Sequence, residues 1–223
     1  MINSTTILKH HNVIVSSQAV VGSVLRDADA LARIGLDAIA GGANALRLEG
    51  SDTVRLARSK TDLPIVGLIK TERKDFASRI TLVSQEISDL KSAGANIVAI
   101  DSTDRPRPES LESLYWTAQQ LELEVFADIA TLSEAKFAMD LGATYIATTM
   151  AGYTSNRQMT TGPDFELLEE IASCDARVIL EGRISSAEHL NKAFDYGAFA
   201  VVIGRAVTSP QTILRDLLKG LHS

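Results

Sequence analysis

Two stretches near the C-terminal end share one form. Val178-Ile179-Leu180-Glu181-Gly182-Arg183 and Ala200-Val201-Val202-Ile203-Gly204-Arg205 are apolar runs that stop at glycine followed by arginine. A run that is apolar at consecutive positions fits a strand buried on both faces. Glycine at its end has no Cβ, so backbone N–H groups can approach an anion closely. Two such ends, about one βα unit apart, predict the phosphate site of a (β/α)8 TIM barrel, which is built by the loops after strands 7 and 8. Glu181 falls on the same rim, so a carboxylate is expected beside a small phosphorylated molecule.

Working outward, eight strands are predicted at residues 13–17, 45–48, 64–70, 97–101, 123–128, 145–149, 177–181 and 200–204. Amphipathic segments separate them. Residues 80–92, with Ile80, Val83, Ile87 and Leu90 at helical spacing, predict a helix. Gly-Ala precedes a strand four times, at Gly42-Ala43, Gly94-Ala95, Gly142-Ala143 and Gly197-Ala198. That is the expected form of a helix C-cap with glycine in the left-handed conformation. The order β-then-α predicts a parallel sheet with right-handed crossovers. Eight strands in this length favour an α/β closed barrel with outer helices, a single domain over residues 1–223.

The 223 residues are 45% hydrophobic, enough for one core, and the net charge is −6. No basic run suggests nucleic acid or a membrane surface, and no apolar stretch approaches the roughly 20 residues that cross a bilayer. The one cysteine, Cys174, excludes an internal disulfide. The polar start resembles no signal peptide, so a cytoplasmic setting is expected.

In such a barrel the C-terminal strand ends carry the chemistry. Here they present Ser16, Ser17 and Gln18, then Arg47, Lys70, Asp101, Asp128, Thr148-Thr149 and Glu181. A charge after so apolar a run must be paired or face a wet site. Lys70 reads as the start of a surface loop, as a general acid or base, or as a Schiff-base former. Glu181 reads as a structural partner of a cation or as a second acid/base. Asp128 either orients Lys70 or a substrate hydroxyl, or reacts itself; Asp101 either acts in the site or caps the next helix. Arg47 either contacts substrate or forms an internal salt bridge. Gly182 and Gly204 are the expected phosphate contacts, with Arg183 and Arg205 binding phosphate or flanking it. None of the four histidines falls at a strand end, and no HxH or HExxH spacing occurs, so no metal site is expected. No nucleotide-binding glycine motif is present, so no cofactor is expected, although flavin mononucleotide could use a barrel phosphate site.

Several of these stretches resemble the NanE family, bacterial N-acetylmannosamine-6-phosphate 2-epimerases. They are Ser17-Gln18-Ala19, Gly41-Gly42-Ala43 with Arg47 after it, Leu63-Pro64-Ile65-Val66-Gly67-Leu68-Ile69-Lys70, and Asp101-Ser102-Thr103-Asp104-Arg105-Pro106-Arg107-Pro108. Ala127-Asp128-Ile129-Ala130-Thr131-Leu132, Thr148-Thr149-Met150-Ala151-Gly152-Tyr153-Thr154, Pro163-Asp164-Phe165-Glu166-Leu167-Leu168 and Glu181-Gly182-Arg183-Ile184 follow in the family's order. Gly22-Ser23-Val24-Leu25 departs from the Gly-Glu-Pro-Leu usual there. The resemblance implies metal-free, reversible epimerisation of N-acetylmannosamine 6-phosphate to N-acetylglucosamine 6-phosphate by proton transfer at C2, in amino-sugar catabolism. It implies Lys70 and Glu181 as catalytic groups and Gln18, Arg47 and Asp128 as sugar contacts. Glycines at the ends of strands 7 and 8 would hold the phosphate, and a homodimer is expected. The rival readings are a Schiff-base aldolase through Lys70, another isomerase of a small sugar phosphate, and a silent phosphosugar sensor.

Overall fold

The computed structural model describes residues 6–71 and 77–219. Eight parallel strands close into a barrel in sequence order. They are β1 (Asn12–Ser17), β2 (Ala45–Glu49), β3 (Ile65–Leu68), β4 (Ile97–Asp101), β5 (Glu124–Asp128), β6 (Tyr145–Ala147), β7 (Val178–Glu181) and β8 (Ala200–Ile203). The helices are α1 (Ala28–Ala40), α2 (Ser51–Arg58), α3 (Ser84–Ala93), α4 (Leu111–Gln120), α5 (Leu132–Asp140), α6 (Phe165–Ala172), α7 (Ala187–Asp195), α8 (Arg205–Thr208) and α9 (Pro210–Lys219). The expected TIM barrel is the observed fold, and each of the eight expected strands lies in its place.

Alternation along the strands produces two cores. Leu46, Leu48, Val98, Ile100, Leu180 and Val201 pack outward against the helices. Ile14, Val66, Ile97, Phe126, Ile179 and Val202 fill the lumen. Both faces are therefore buried, which is why the runs are apolar without a gap. The N-terminal mouth is closed from below. Leu8 is fully buried, its N–H donates to Tyr145 Oη at 2.9 Å, and Tyr145 donates to Glu124 at 2.6 Å.

The Gly-Ala repeat marks the ends of α1, α3, α5 and α7. Gly42, Gly94, Gly142 and Gly197 take φ of +106°, +100°, +92° and +90°. The N–H of each following alanine reaches back into its helix, to Ala38, Leu90, Ala138 and Ala193, at 2.9–3.0 Å. This is the double-bonded helix stop expected of the motif, and it aims the chain into β2, β4, β6 and β8.

Most expected boundaries hold or shift by a single residue, and two move further. Strand 64–70 stops at Leu68, and helix 80–92 starts at Ser84. The cause is one excursion. The chain after β3 turns back so that Lys70 and Ile80 form an antiparallel bridge. Thr81 N–H donates to Ile69 O, and Asp101 N–H donates to Ile80 O. The returning segment is thus wedged between the ends of β3 and β4. Ile80 is apolar because it caps the lumen, not because it lies on a helix face. Segment 145–149 also divides: β6 ends at Ala147 and Thr148–Met150 form a 3-10 turn.

A Cβ on Gly94 would lie 2.6 Å from Arg58 Cγ, whereas one on Gly142 meets nothing within 4 Å. Both glycines need left-handed backbone, which costs an L-residue about 1–2 kcal/mol. Gly94→Ala should therefore lose clearly more stability in urea denaturation than Gly142→Ala. Equal losses would show that Arg58, which donates to Gly94 O at 3.0 Å, moves aside freely.

Candidate active site

Strand parity builds the site. Inward positions on β2 run Ala45, Arg47, Glu49; on β4, Ile97, Ala99, Asp101; on β5, Phe126, Asp128; on β7, Ile179, Glu181. The polar inward residues stand at the C-terminal ends of their strands, last on β4, β5 and β7 and in the last two inward places on β2, so these side chains converge above the apolar lumen. Asp101 and Asp128 are directly paired in the ladder, as are Ser16 and Arg47.

Arg47 is the centre of this layer, with its side chain only 1% exposed. It spans the lumen from β2 to β5 and β7. Nη2 donates to Asp128 Oδ2 at 2.8 Å and Nη1 to Glu181 Oε1 at 3.2 Å. The guanidinium carbon lies 5.6 Å above the centroid of Phe126. Burial alone would push the guanidinium down, but the two carboxylates more than offset it and hold it charged. Among the described residues, Nε has no hydrogen-bond partner. Of the two expectations for Arg47, the internal ion pair is present.

The carboxylates are further fixed by the threonines after β6. Thr149 Oγ1 contacts both Asp128 Oδ1 and, at 3.0 Å, Glu181 Oε2. Thr148 donates to Glu181 O at 2.9 Å and accepts from its N–H at 3.0 Å. Asp128 is fully buried, and burial, reinforced by Glu181, pushes its carboxyl up to about 7 against the pull of Arg47.

Lys70 stands at the open mouth, where solvent reaches it. Partial loss of hydration in the crowded rim is the largest influence on it and lowers its pKa. Arg47 acts in the same direction; Glu49, Glu181 and Asp128 oppose. An amine held below its usual range is a better base near neutrality. β3 and β7 are four positions apart in an eight-stranded ring, so Lys70 and Glu181 approach from opposite sides of the mouth.

Glu49 escaped the sequence reading because strand 2 was ended one residue early. Its position two residues beyond Arg47 in an alternating strand was the available clue. Thr149 lies beyond β6 in the 3-10 turn, so strand alternation does not tell it from Thr148; the turn is what brings its hydroxyl to both carboxyls.

The remaining candidates occupy the rim. Gln18 donates to Ser16 Oγ at 2.7 Å. Gly182 ends β7 with φ +111°, and Gly204 precedes α8 beside Ser16, so both glycines end their strands at the same rim. Arg205 is exposed at the start of α8. The Arg183 side chain is turned elsewhere: it donates to Gly162 O at 2.7 Å, Ala151 O at 3.1 Å and Thr160 Oγ1 at 3.0 Å. It tethers the loop after β6 instead of offering its guanidinium to an anion. Asp101 takes neither expected role alone. It receives Thr103 and the Arg79 N–H and pairs with Arg105 at 2.7 Å, tying the β4 loop to the segment beside Lys70. Among the described residues, no group of three or more His, Cys, Asp or Glu is arranged to hold a metal ion, and no helix is long and apolar enough to cross a membrane.

The raised Asp128 carboxyl has a consequence for stability. The folded state binds its proton more tightly than the unfolded chain, whose carboxyl has a value near 3.8. The stabilisation is complete below about pH 4 and is lost as pH rises through 7. Asp128→Asn, a permanently neutral mimic, should therefore gain thermal stability relative to the parent between pH 5 and 8. A constant difference in melting temperature over that range would mean that Asp128 is ionised throughout.

Comparisons with known proteins agree with this fold. The family model NanE, described as "Putative N-acetylmannosamine-6-phosphate epimerase", matches residues 31–223. A Salmonella arizonae protein described as a "Putative N-acetylmannosamine-6-phosphate 2-epimerase" is 40% identical over 196 residues, 88% of this chain and 85% of that protein. A Clostridium perfringens protein of the same description is 37% identical over 214 residues, 93% and 97% of the two chains. A solved N-acetylmannosamine-6-phosphate 2-epimerase structure from Clostridium perfringens superimposes with a TM-score of 0.90 at 34% identity, covering 97% of this chain and 99% of the other. With the family model and these relatives spanning most of its length, the chain belongs to the NanE family.

Proposed function

We propose that this protein interconverts N-acetylmannosamine 6-phosphate and N-acetylglucosamine 6-phosphate by removing the C2 proton and returning it to the opposite face. The observation that carries this reading is the opposition of Lys70 and Glu181 across the mouth, with the Arg47–Asp128 pair beneath and the glycine-ended β7 and β8 alongside.

The C2 hydrogen is acidic when C1 is an aldehyde. One group takes the proton as the C2–H bond breaks and its electrons move into the C1 carbonyl. The resulting enolate oxygen needs a cationic neighbour, a role open to Lys70 or Arg47. The other acid/base group then supplies a proton from the far side. Groups on adjacent strands would reach the same face of the carbon; groups on β3 and β7 reach both. The phosphate sits against the backbone at Gly182 and Gly204, with Arg205 at its edge and Arg183 acting through its backbone and the loop it tethers. Gln18 and Asp128 meet sugar hydroxyls. Anchoring the phosphate lets remote binding serve the reacting carbon. The Schiff-base reading of Lys70 is not favoured by the family. Such a substrate fits a cytoplasmic setting.

The test is proton NMR of N-acetylmannosamine 6-phosphate with the protein in D2O. The expected outcome is N-acetylglucosamine 6-phosphate carrying deuterium at C2. Lys70→Ala and Glu181→Gln, which leaves Arg47 an acceptor, should each slow the conversion by about 100-fold or more. Absence of both product and C2 exchange would sink the epimerase reading, and a borohydride-trapped adduct at Lys70 would establish the aldolase instead.

We also infer a homodimer. α9 buries none of its residues, and Ile213, Leu214, Leu217 and Leu218 form an exposed apolar face on it. Sedimentation of the parent should give a dimer, and the double variant Leu214→Glu with Leu217→Glu should give a monomer. A dimer that survives both changes would move the interface elsewhere, and a monomeric parent would remove it.

A further inference from the structure

Arg47, Asp128, Thr149 and Glu181 form a closed ring of polar contacts. Each carboxyl group uses one oxygen for Arg47 and the other for Thr149: Asp128 Oδ2 and Oδ1, Glu181 Oε1 and Oε2. A hydroxyl has one proton to donate and lone pairs with which to accept. Thr149 can therefore satisfy only one of two ionised carboxylates. Its second contact would set oxygen lone pairs against each other in a place from which water is nearly excluded. Both contacts are hydrogen bonds only if one carboxyl carries a proton and donates it to Thr149.

We propose that Thr149 is a positioning residue whose hydroxyl holds one proton in common between Asp128 and Glu181 and delivers it to Glu181 during turnover. In the resting arrangement Asp128 Oδ1 donates to Thr149, and Thr149 donates to Glu181 Oε2. Asp128 is the protonated member because it is fully buried, while Glu181 keeps 13% of its side chain exposed, and burial disfavours the charged form. The transfer balances. The Asp128 O–H bond breaks as a new bond forms to Thr149 Oγ1. The original Thr149 O–H bond breaks as a proton reaches Glu181 Oε2. The reverse shift recharges Asp128. Glu181 can thus begin as an acid or as a base without exchanging protons with bulk water. An enzyme that runs in both directions requires this freedom. The kinetic part of this proposal rests on the epimerase reading; the proton count does not.

Every charged or titratable group around the pair bears on its titration. Arg47 from β2 favours ionisation of Asp128, and Lys70 beyond β3 adds to it. Asp101 from β4 favours the protonated form of Asp128. Glu49 acts on Arg47 and Lys70, and Tyr115 from α4 interacts with Asp128. Within that field the bridging hydroxyl stabilises the singly protonated pair specifically. Removing it takes away that preference for a single shared proton.

Two variants and one measurement on the parent test this. Thr149→Val keeps the shape and removes the hydroxyl; Thr149→Ser keeps the hydroxyl. Thr149→Val should lower kcat by about 10- to 100-fold, the size of a lost hydrogen bond to a charged group, with KM changed much less. Its pH–rate plateau should narrow, and Thr149→Ser should restore most of both. An unchanged pH profile, or equal loss in both variants, would assign Thr149 a merely structural role and overturn the proposal. Carbon-13 NMR titration of the carboxyl groups in the unaltered protein needs no activity, and a variant only to assign its signal. One carboxyl of the pair should titrate near neutral pH, a signal identified by its loss in Asp128→Asn. If both Asp128 and Glu181 remain ionised between pH 5 and 8, the shared proton does not exist and the proposal fails even if the protein is an epimerase.

Discussion

A charged guanidinium buried in the lumen of the barrel is the constraint from which the rest of the site follows. Arg47 cannot shed its proton at any accessible pH, so its isolation from water has to be answered by anions. The Glu181 carboxylate answers it from β7, the Asp128 carboxyl accepts a second hydrogen bond from β5, and the face of Phe126 lies beneath the guanidinium. Taking one partner from such a buried group strands the other and typically costs about 3–5 kcal/mol. Replacing the whole set with apolar side chains is often neutral or stabilising. The arrangement is therefore poorly explained by stability and well explained by what sits above it. The ion pair fixes a Glu181 carboxylate at the edge of the wet mouth in one orientation, without a mobile side chain to settle at each turnover.

Charge balance then links the two proposed acid/base groups. Arg47, Asp128 and Glu181 all act on the Lys70 amine, and Arg47 and Glu181 act on the Asp128 carboxyl. Lys70 feels Arg47 as a like charge and Glu49 as an opposite one. A proton arriving on Glu181 weakens the negative field that favours an ammonium at Lys70. Lys70 and Glu181 are thus coupled so that protonation of Glu181 eases deprotonation of Lys70. The coupling runs through fixed side chains on β2, β5 and β7.

The fold was legible because both cores are written into the strands. Val98 and Ile100 face the helices while Ile97 and Ala99 face the lumen, so the run is apolar throughout and reads as a parallel strand. The Gly-Ala stops were legible because left-handed backbone at a helix end leaves few choices of residue. The return after Lys70 was not legible. Ile80 is buried for a reason unrelated to helical periodicity, and a bridge to Lys70 depends on a contact ten residues away. The site was readable as a set of strand ends but not as a network. Nothing local in Arg183 shows that its guanidinium turns to Gly162 and Ala151, and nothing local in Arg47 shows which carboxylates it meets. Such partners are chosen by barrel closure, which brings β2 within reach of β5 and β7.

Closure also explains why these chemical groups are recruited from distant parts of the chain. In an open sheet, Lys70 and Glu181 would stand on strands four places apart, about 19 Å at the usual strand spacing, too far to share one carbon. Curling the sheet into eight strands turns that separation into a diameter and points both side chains inward. The lumen below is too narrow for water once Phe126, Ile179 and Val202 fill it, so the substrate can be approached only from the C-terminal mouth. The tight 3-10 turn after β6 completes the arrangement. By bending the chain directly at the strand end, it lets Thr148 grip the backbone of Glu181 while Thr149 grips its carboxylate. One adjacent pair of hydroxyls thus sets both the position and the orientation of the carboxyl group that β7 presents at the mouth.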